Sequence, residues 1–246
     1  MALIEELEES GSWLFRWRSY LPIIFVTAGF YMMLDYRYIG HSATWDRYWD
    51  LTCLGVSLLG LLIRCYTIGY TPKNTSGRNA KAQIADTLNT TGIYSLVRNP
   101  LYLGNYAMFL GVVLFFHSLP FTLIFTLTFF IYYERIIFAE ECYLRRKFGD
   151  QYLEWTKHTP AIILKLRGFR RPNLPFSFRN VLKREYNGFF AVVLTFTLFE
   201  VLGELRLHGS WDLGPIRFAL LGAAFLIWAT LRTLKKKTTL LHVNGR

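Results

Sequence analysis

Two polar segments of this sequence contain residue types that could carry chemistry. The first spans 85–104 and includes Asn99 and Pro100, an N-cap residue and a first-turn proline that predict the start of a helix. The free N–H groups and positive dipole end of such a helix suit a carboxylate or a phosphate, and Arg98 could add a bidentate contact. The alternative is plain capping of a membrane helix, with Arg98 reaching towards lipid headgroups.

The second segment, residues 140–152, begins with two adjacent glutamates. Glu141 has Arg145 four residues later, so a surface pair along one helix explains it without a function. Glu140 has Leu144 at the same spacing. It is therefore the better candidate for holding a cation or the hydroxyl groups of a ligand.

The elements that must position these residues are membrane helices. The chain of 246 residues is 52% hydrophobic and 18% charged, with a mean hydropathy of +0.24. This composition excludes a disordered chain, a disulfide scaffold and an ordinary soluble domain. Six apolar runs predict an all-α, polytopic membrane protein with about six transmembrane helices. These runs are Tyr20–Leu34, Leu51–Ile68, Leu101–His117, Pro120–Tyr133, Gly188–Leu202 and Ile216–Leu231.

The distribution of basic residues predicts the orientation of the chain. If all six runs cross the membrane, 24 of the 28 Lys and Arg residues fall on one side. By the positive-inside rule, both termini and both polar segments are cytoplasmic. Four N-terminal glutamates stand where a signal peptide carries basic residues, so the first apolar run is predicted to be retained. The localisation predicted is a multi-pass protein of the bacterial inner membrane, with its site facing the cytoplasm.

The predicted organisation has five parts. They are a cytoplasmic N-terminal segment (1–19), a first helix pair (20–68), a core with the central helix hairpin (69–160), a basic interfacial segment (161–187), and a last helix pair with a basic tail (188–246). The third and fourth apolar runs must form a tight antiparallel hairpin, because they are joined only by residues 117–120. The fourth run is predicted to continue as a helix through Lys157, because no proline and only Gly149 interrupts it. Residues 85–104 and Glu140 are therefore predicted to meet at one end of this hairpin.

The formal net charge of +11 bears on the partners. Seven basic residues between Lys165 and Arg184 alternate with aromatic and aliphatic ones, a pattern that suits anionic lipid headgroups. This stretch is either a membrane-hugging linker or part of a substrate headgroup site. The sequence has no recognised nucleic-acid-binding module, and its three cysteines have no metal-ligand spacing, so neither nucleic acid nor metal is a predicted partner. The oligomeric state stays open.

The two polar segments resemble a known family. TTGIYSLVRNPLYLGN and AEECYLRRKFGDQYLEWTKHTP are similar to motifs of the isoprenylcysteine carboxyl methyltransferases and their phospholipid methyltransferase relatives. The family pattern is G-x-Y, then R-H-P-x-Y-x-G, then paired glutamates and F-G-x-x-Y. The matching residues are Gly92, Tyr94, Arg98, Pro100, Tyr102, Gly104, Glu140, Glu141, Phe148, Gly149 and Tyr152. The resemblance covers residues 79–160.

The resemblance implies S-adenosylmethionine as methyl donor, bound in a cytoplasmic pocket at the ends of the central helices. The cofactor-binding residues that it implies are Asn79, Thr87, Leu88, Tyr94, Asn99, Pro100, Leu101, Tyr102, Gly104, Glu140 and Glu141. The substrate-binding residues predicted are Arg78, Arg98 and Arg135, of which Arg135 is displaced by one position from the arginine of the family.

Asn99 occupies the position of the motif histidine. Asparagine cannot titrate, so it cannot act as a general base. Either the protein is a non-catalytic membrane scaffold, or its acceptor is an acid that is already ionised. The second case favours methylation of a carboxylate or phosphate oxygen over methylation of an ammonium group. Arg98 and Asn99 are then candidates for positioning only, and catalysis follows from bringing the reactants together.

The sequence predicts an S-adenosylmethionine-dependent O-methyltransferase that acts on an anionic lipid. Residues 70–81 contain Gly77 between basic residues, which predicts either a phosphate-binding loop or a flexible loop. They are similar to the bacterial branch with lipid A 1-phosphate methyltransferases, so lipid A 1-phosphate is the predicted acceptor. The alternatives are a protein-S-isoprenylcysteine carboxyl O-methyltransferase, a phospholipid N-methyltransferase and the scaffold. Glu200, near the outer end of the fifth run, is predicted to be interfacial.

Overall fold

The computed structural model describes residues 2–75, 83–211 and 214–246, and within these ranges the chain is all-helical. This confirms the predicted fold class. Eight α-helices are described: α1 (Leu3–Trp17), α2 (Leu21–Met32), α3 (Ala43–Tyr70), α4 (Pro100–Leu114), α5 (Leu119–Phe148), α6 (Asp150–His158), α7 (Phe178–His208) and α8 (Gly214–Lys237). Short 3-10 turns lie at 33–35, 39–41 and 93–95.

Four of these helices, α3, α5, α7 and α8, are long and apolar enough to cross a membrane. The other two predicted runs form shorter apolar helices, Ile23–Asp35 and Pro100–Leu114. At about 1.5 Å per residue, the 15-residue α4 reaches only about 22 Å, which is shorter than a hydrocarbon core of about 30 Å. The protein is therefore an integral membrane protein, while the six-span count, the orientation and the five-part division stay predictions.

The helix predicted to continue from α5 through Lys157 is interrupted at Gly149. This residue has φ +51° and ψ −126°, a conformation that a Cβ would strain. The chain turns there, and α6 packs beside residues 92–98, with Trp155 Nε1 donating to the Tyr94 carbonyl over 3.1 Å. The prediction of one continuous helix is wrong at this turn, because a single glycine suffices to redirect the chain.

The most extensive helix packing among the described residues joins α3 to α4. Ser57 Oγ donates to the Met108 carbonyl over 2.7 Å. A Cβ on Gly111 would lie 2.2 Å from Ser57 Oγ, and one on Gly60 would lie 2.5 Å from the Gly104 carbonyl oxygen. Small residues at these positions let two membrane helices approach backbone to backbone.

We expect Gly111→Val to destabilise the bundle by about 1–3 kcal/mol, because the added atoms have no space between α3 and α4. The matched control is Gly55→Val, since a Cβ on Gly55 meets no atom within 4 Å. Thermal unfolding of the detergent-solubilised variants measures the difference. Equal losses of melting temperature in both variants would contradict the packing argument.

The N-terminal segment, predicted only as a cytoplasmic segment, forms α1 and packs along the C-terminal half of α5. A Cβ on Gly11 would lie 2.1 Å from the Arg135 carbonyl oxygen, so the two backbones are in direct contact. Tyr132 donates its hydroxyl to the Leu14 carbonyl over 3.0 Å. Glu8 pairs with Arg146, and this hydrogen bond lowers the pKa of the Glu8 carboxyl. Helix α1 is thus part of the folded body.

Candidate active site

A cavity of about 390 Å³ lies where residues 83–102 meet α1, α3, α5, α6 and α7. This volume falls within the range of about 300–1,000 Å³ for small-molecule sites. The cavity brings together nine of the predicted site residues: Thr87, Leu88, Tyr94, Arg98, Asn99, Pro100, Leu101, Tyr102 and Glu140. The hairpin of α4 and α5 thus places the first polar segment beside Glu140, as its short connection predicted.

Three predicted site residues lie outside the cavity wall that the structure describes: Gly104, Glu141 and Arg135. Gly104 instead faces α3, where its Cβ would lie 2.8 Å from the Gly60 carbonyl oxygen. Its place in the motif therefore has a packing reason. Two further predicted residues, Arg78 and Asn79, lie outside the described residues, as does the half of the predicted phosphate-binding loop that contains Gly77.

Glu140 is oriented by a hydrogen bond across the hairpin. The Tyr102 hydroxyl, in the first turn of α4, donates to Glu140 Oε2 over 2.9 Å. The Tyr102 ring also packs against the ring of Tyr133, with centroids 4.7 Å apart. The carboxylate is half-buried and lies in the cavity wall. Because a carboxylate offers about four acceptor positions, it can receive further hydrogen bonds from hydroxyl or ammonium groups.

Arg98 joins the start of α4 to the ends of α5 and α6. Its Nε and Nη2 atoms lie 3.0 and 2.8 Å from Glu141 Oε1, and its Nη1 donates to the Thr159 carbonyl over 3.1 Å. Glu141 therefore pairs with Arg98, and the surface-pair alternative with Arg145 is wrong. The long-range partner is better placed because Arg98 points along the cavity wall towards α5. Its role towards a substrate stays a prediction.

Asn99 occupies the N-cap position of α4, but its side chain does not cap the helix. The Nδ2 atom donates instead to the Ala161 carbonyl over 3.0 Å. The expectation of side-chain capping is wrong, because the segment after α6 runs close enough to offer the amide a carbonyl acceptor. The neighbouring Arg98 N–H donates to the Pro160 carbonyl over 2.9 Å. Asn99 thus holds this segment against the cavity.

We expect Asn99→Asp to reduce activity at least tenfold, because a carboxylate cannot donate to the Ala161 carbonyl and a partly buried acceptor is left without its partner. Asn99→His keeps an N–H donor, so its activity should stay within about threefold of the wild type. The measurement is transfer of labelled methyl groups to a lipid extract across pH. A large gain for Asn99→His with a pH dependence near about 6.5 would show that this position needs a base.

The turn before α4 positions Tyr94 in the cavity wall. Gly92 has φ +62°, which glycine adopts without strain, and its N–H donates to the Arg170 carbonyl over 2.8 Å. Arg170 N–H in turn donates to Ser95 Oγ over 2.9 Å. Burial raises the pKa of the Tyr94 hydroxyl, so this group stays neutral at physiological pH. The motif glycine therefore shapes the turn that presents the tyrosine.

An ion pair that sequence reasoning missed lies in the cavity wall between α3 and α7. Arg64 donates from Nε and Nη2 to the two carboxylate oxygens of Glu185, over 2.7 and 2.8 Å, and from Nη1 to Asn105 Oδ1. Glu185 is buried, with 4% of its side chain exposed. An ionisable residue inside an apolar run, such as Arg64, was the available signal. Its partner lies 121 positions away, which sequence spacing does not reveal.

Helix α1 and the turn that follows it contribute a second missed part of the wall: Phe15, Arg18 and Ser19. The guanidinium of Arg18 lies 3.7 Å from the centroid of the Phe15 ring, and its Nη1 donates to the Phe15 carbonyl over 3.0 Å. The available signal was the spacing of apolar residues in the N-terminal segment, with Leu7, Gly11 and Phe15 on one helical face.

In the described part of the chain, no group of three or more His, Cys, Asp or Glu residues is arranged to hold a metal ion.

Comparison with known proteins identifies the family. The phospholipid methyltransferase family matches residues 51–151. The cobalt-zinc-cadmium resistance protein CzcN of Cupriavidus metallidurans is 33% identical over 181 residues, which cover 68% of this chain and 77% of CzcN. The chain belongs to the phospholipid methyltransferase family.

Two further relatives match shorter parts of the chain. The nickel-cobalt-cadmium resistance protein NccN of Alcaligenes xylosoxydans xylosoxydans is 30% identical over 132 residues, covering 53% of this chain and 59% of NccN. The protein-S-isoprenylcysteine O-methyltransferase of Schizosaccharomyces pombe is 31% identical over 114 residues, covering 46% of this chain and 48% of its own. No solved structure matches the chain significantly. Family and membrane-length helices together indicate a membrane methyltransferase.

The phospholipid methyltransferase match spans most of α3, all of α4 and α5, and the start of α6. It excludes α1 and α7, although both helices complete the cavity. With the turn after α1, they contribute Phe15, Arg18, Ser19, Arg184 and Glu185 to the wall. The family core therefore supplies Tyr102 and Glu140, while helices outside the core close the remaining sides.

Proposed function

We propose that this protein transfers a methyl group from S-adenosylmethionine to an anionic oxygen of a membrane lipid, with a lipid phosphate such as lipid A 1-phosphate as the acceptor. The observation that carries the proposal is the chemistry of the cavity wall. Among the described residues, the wall holds four arginines, two glutamates and no histidine. A basic wall without an imidazole base suits an acceptor that is already deprotonated.

The residues in the wall fit S-adenosylmethionine. The Glu140 carboxylate, oriented by Tyr102, can accept hydrogen bonds from the ribose hydroxyls or the ammonium group. Pro100 and Leu101 supply apolar surface beside it, and the wall contains Leu88 and Tyr94 at the opposite end of the segment. When bound, this cofactor supplies a methyl group activated by a sulfonium.

The contribution of the chain to the reaction is positioning. Asn99 and Arg98 tie the segment after α6 to the start of α4, which fixes that side of the cavity. Arginine side chains in the wall bind and orient an anionic acceptor, since a guanidinium matches a phosphate or a carboxylate bidentately. Holding the acceptor oxygen at about 3–3.5 Å from the transferred carbon supplies much of the rate.

Three other functions stay open. The isoprenylcysteine relative supports a carboxylate acceptor, which the same basic wall would accommodate. The family match supports N-methylation of a phospholipid, which would need a base for the ammonium group. A non-catalytic scaffold would not need to bind the cofactor. The cytoplasmic side is supported by the distribution of Lys and Arg, and the inner membrane is part of the proposal.

The test is incubation of the purified, detergent-solubilised protein with radiolabelled S-adenosylmethionine and a total bacterial lipid extract. Label in a phosphorylated glycolipid that resists mild alkali supports a methyl phosphate. Label released as volatile methanol by mild alkali indicates a carboxyl methyl ester, and label in phosphatidylethanolamine overturns the anionic acceptor. Absence of both cofactor binding and transfer to any lipid or prenylcysteine favours the scaffold.

The names of CzcN and NccN support a second proposal, which concerns the physiological role of the reaction. Methylation of an anionic lipid removes negative charge and acceptor oxygens from the membrane surface, and this would weaken binding of divalent cations. We therefore propose that the activity contributes to tolerance of such metals. The test of this role is growth with cobalt, zinc or cadmium. It compares cells that carry the wild type with cells that carry Glu140→Gln.

A further inference from the structure

The C-terminal end of α1 carries an aromatic row on its outer side. Trp13, Trp17 and Tyr20 are 58%, 47% and 56% exposed, and their rings contact one another in sequence, with centroids 6.1 and 5.3 Å apart. Exposed tryptophan and tyrosine side chains of this kind collect at the level of lipid headgroups. The row therefore marks the depth at which the end of α1 meets the bilayer surface.

At the same depth, two polar residues of the chain border the cavity. Arg18 and Ser19 line the cavity, although Trp17 and Tyr20 on either side of them are exposed. The end of α1 is thus the place where the cavity wall and the headgroup layer come closest. A lipid acceptor with its headgroup in this layer would meet Arg18 on entering the cavity.

Helix α1 is fixed in this position by contacts along its length. Gly11 lies against the backbone of Arg135, Tyr132 donates to the Leu14 carbonyl, and Glu8 pairs with Arg146. Arg135 therefore acts as backbone support, and the helix packed upon it presents the arginine that lines the cavity.

The arginines in the cavity wall make contacts of different kinds within the protein. Arg64 and Arg98 each have a bidentate or two-atom contact with a carboxylate, that of Glu185 or Glu141. Arg18 caps α1 through the Phe15 carbonyl and lies over the Phe15 ring, and its charge also acts on Glu140 across the cavity. Because a guanidinium carries five N–H donors in a rigid fork, it can keep contacts within the protein and also bind an anion.

We propose that Arg18 is the positioning residue for the anionic group of the lipid acceptor, which reaches the cavity from the headgroup layer at the end of α1. This inference rests on the proposed function and deepens it, since it names the residue that recognises the acceptor. It assigns acceptor recognition to a helix outside the segment matched by the family. The S-adenosylmethionine contacts then belong to the family core and the acceptor contact to α1.

The experiment uses the full-length protein in detergent and two probes of matched chain length, dihexanoylphosphatidic acid and dihexanoylphosphatidylcholine. Binding of each probe and of S-adenosylmethionine is measured by calorimetry for the wild type, Arg18→Gln, Arg18→Lys and Arg16→Gln. Arg16→Gln is the matched control, because Arg16 lies on α1, is exposed and does not line the cavity. Thermal unfolding verifies that each variant is folded.

We expect Arg18→Gln to weaken binding of dihexanoylphosphatidic acid at least tenfold, to leave the affinity for S-adenosylmethionine within about twofold, and to leave phosphatidylcholine unaffected. Arg18→Lys should restore part of the phosphatidic acid affinity, and Arg16→Gln should match the wild type. In turnover assays with the labelled lipid extract, Arg18→Gln should raise KM for the acceptor more than it lowers kcat.

Three results would overturn the inference. If Arg18→Gln weakens binding of S-adenosylmethionine instead, Arg18 holds the donor carboxylate. If neither ligand is affected, Arg18 only caps α1. If the wild type does not bind phosphatidic acid more tightly than phosphatidylcholine, there is no anion site for Arg18 to form. Failure of the proposed function is distinguishable from all three, because it appears as absence of S-adenosylmethionine binding by the wild type.

Discussion

Replacement of Glu140 by glutamine is expected to lower the affinity for S-adenosylmethionine about ten- to a hundredfold and to abolish most methyl transfer. The amide has nearly the shape of the carboxylate, but it loses the negative charge and one acceptor oxygen. A hydrogen bond to a charged group contributes about 1.5–3 kcal/mol, which sets the size of the loss. Equilibrium dialysis with the labelled cofactor measures affinity, and transfer to the lipid extract measures activity.

The control for this prediction is Glu134→Gln, since Glu134 lies on the same helix and is exposed. Tyr102→Phe removes the hydroxyl that orients Glu140, so its effect should be smaller than that of Glu140→Gln. The double variant should lose less than the sum of the two single losses, because both changes break the same contact. Unchanged cofactor affinity in Glu140→Gln would remove Glu140 from the cofactor site.

Replacement of Glu185 by leucine is expected to destabilise the protein by about 3–5 kcal/mol, because it leaves the Arg64 guanidinium without its carboxylate between α3 and α7. Both bonds of this bidentate pair are lost, and 21% exposure of the Arg64 side chain lets little water replace them. The melting temperature of the detergent-solubilised protein should fall accordingly. Cofactor binding should fall with it, since both residues line the cavity.

A second variant separates stability from function at this pair. The double variant Arg64→Leu and Glu185→Leu removes both charges. Replacement of a buried ion pair by apolar residues is often neutral for stability. The double variant should therefore recover most of the melting temperature. The comparison pair is Lys157 with Glu154, which is exposed and joins residues of one helix turn. Its removal should change the melting temperature little. Equal effects at both pairs would contradict the importance of burial.

The division of the cavity between family core and flanking helices has a consequence for specificity. Tyr102 and Glu140 belong to the matched segment 51–151, whereas Arg18 and Glu185 do not. The residues that α1 and α7 contribute can therefore change the shape and charge of the cavity without replacing Glu140. This arrangement is compatible with similar relatives that carry different names.

The sequence by itself determined the all-α class, the apolar runs and the meeting of residues 98–102 with Glu140. These features follow from local properties. Hydropathy over about 20 residues marks a membrane helix, and a connection of four residues forces two such helices to lie antiparallel. The resemblance added the motif residues, of which nine lie together in one cavity.

Only the tertiary structure decided which charged groups pair and which helices complete the site. Glu141 pairs with Arg98 and not with Arg145. Arg64 pairs with Glu185, which lies 121 positions away in the sequence. The physical reason is that each of these contacts joins residues from different structural elements: the loop before α4 to α5, and α3 to α7. Their distance depends on the turn at Gly149 and on the close packing of α3 with α4, and neither spacing nor composition encodes that distance.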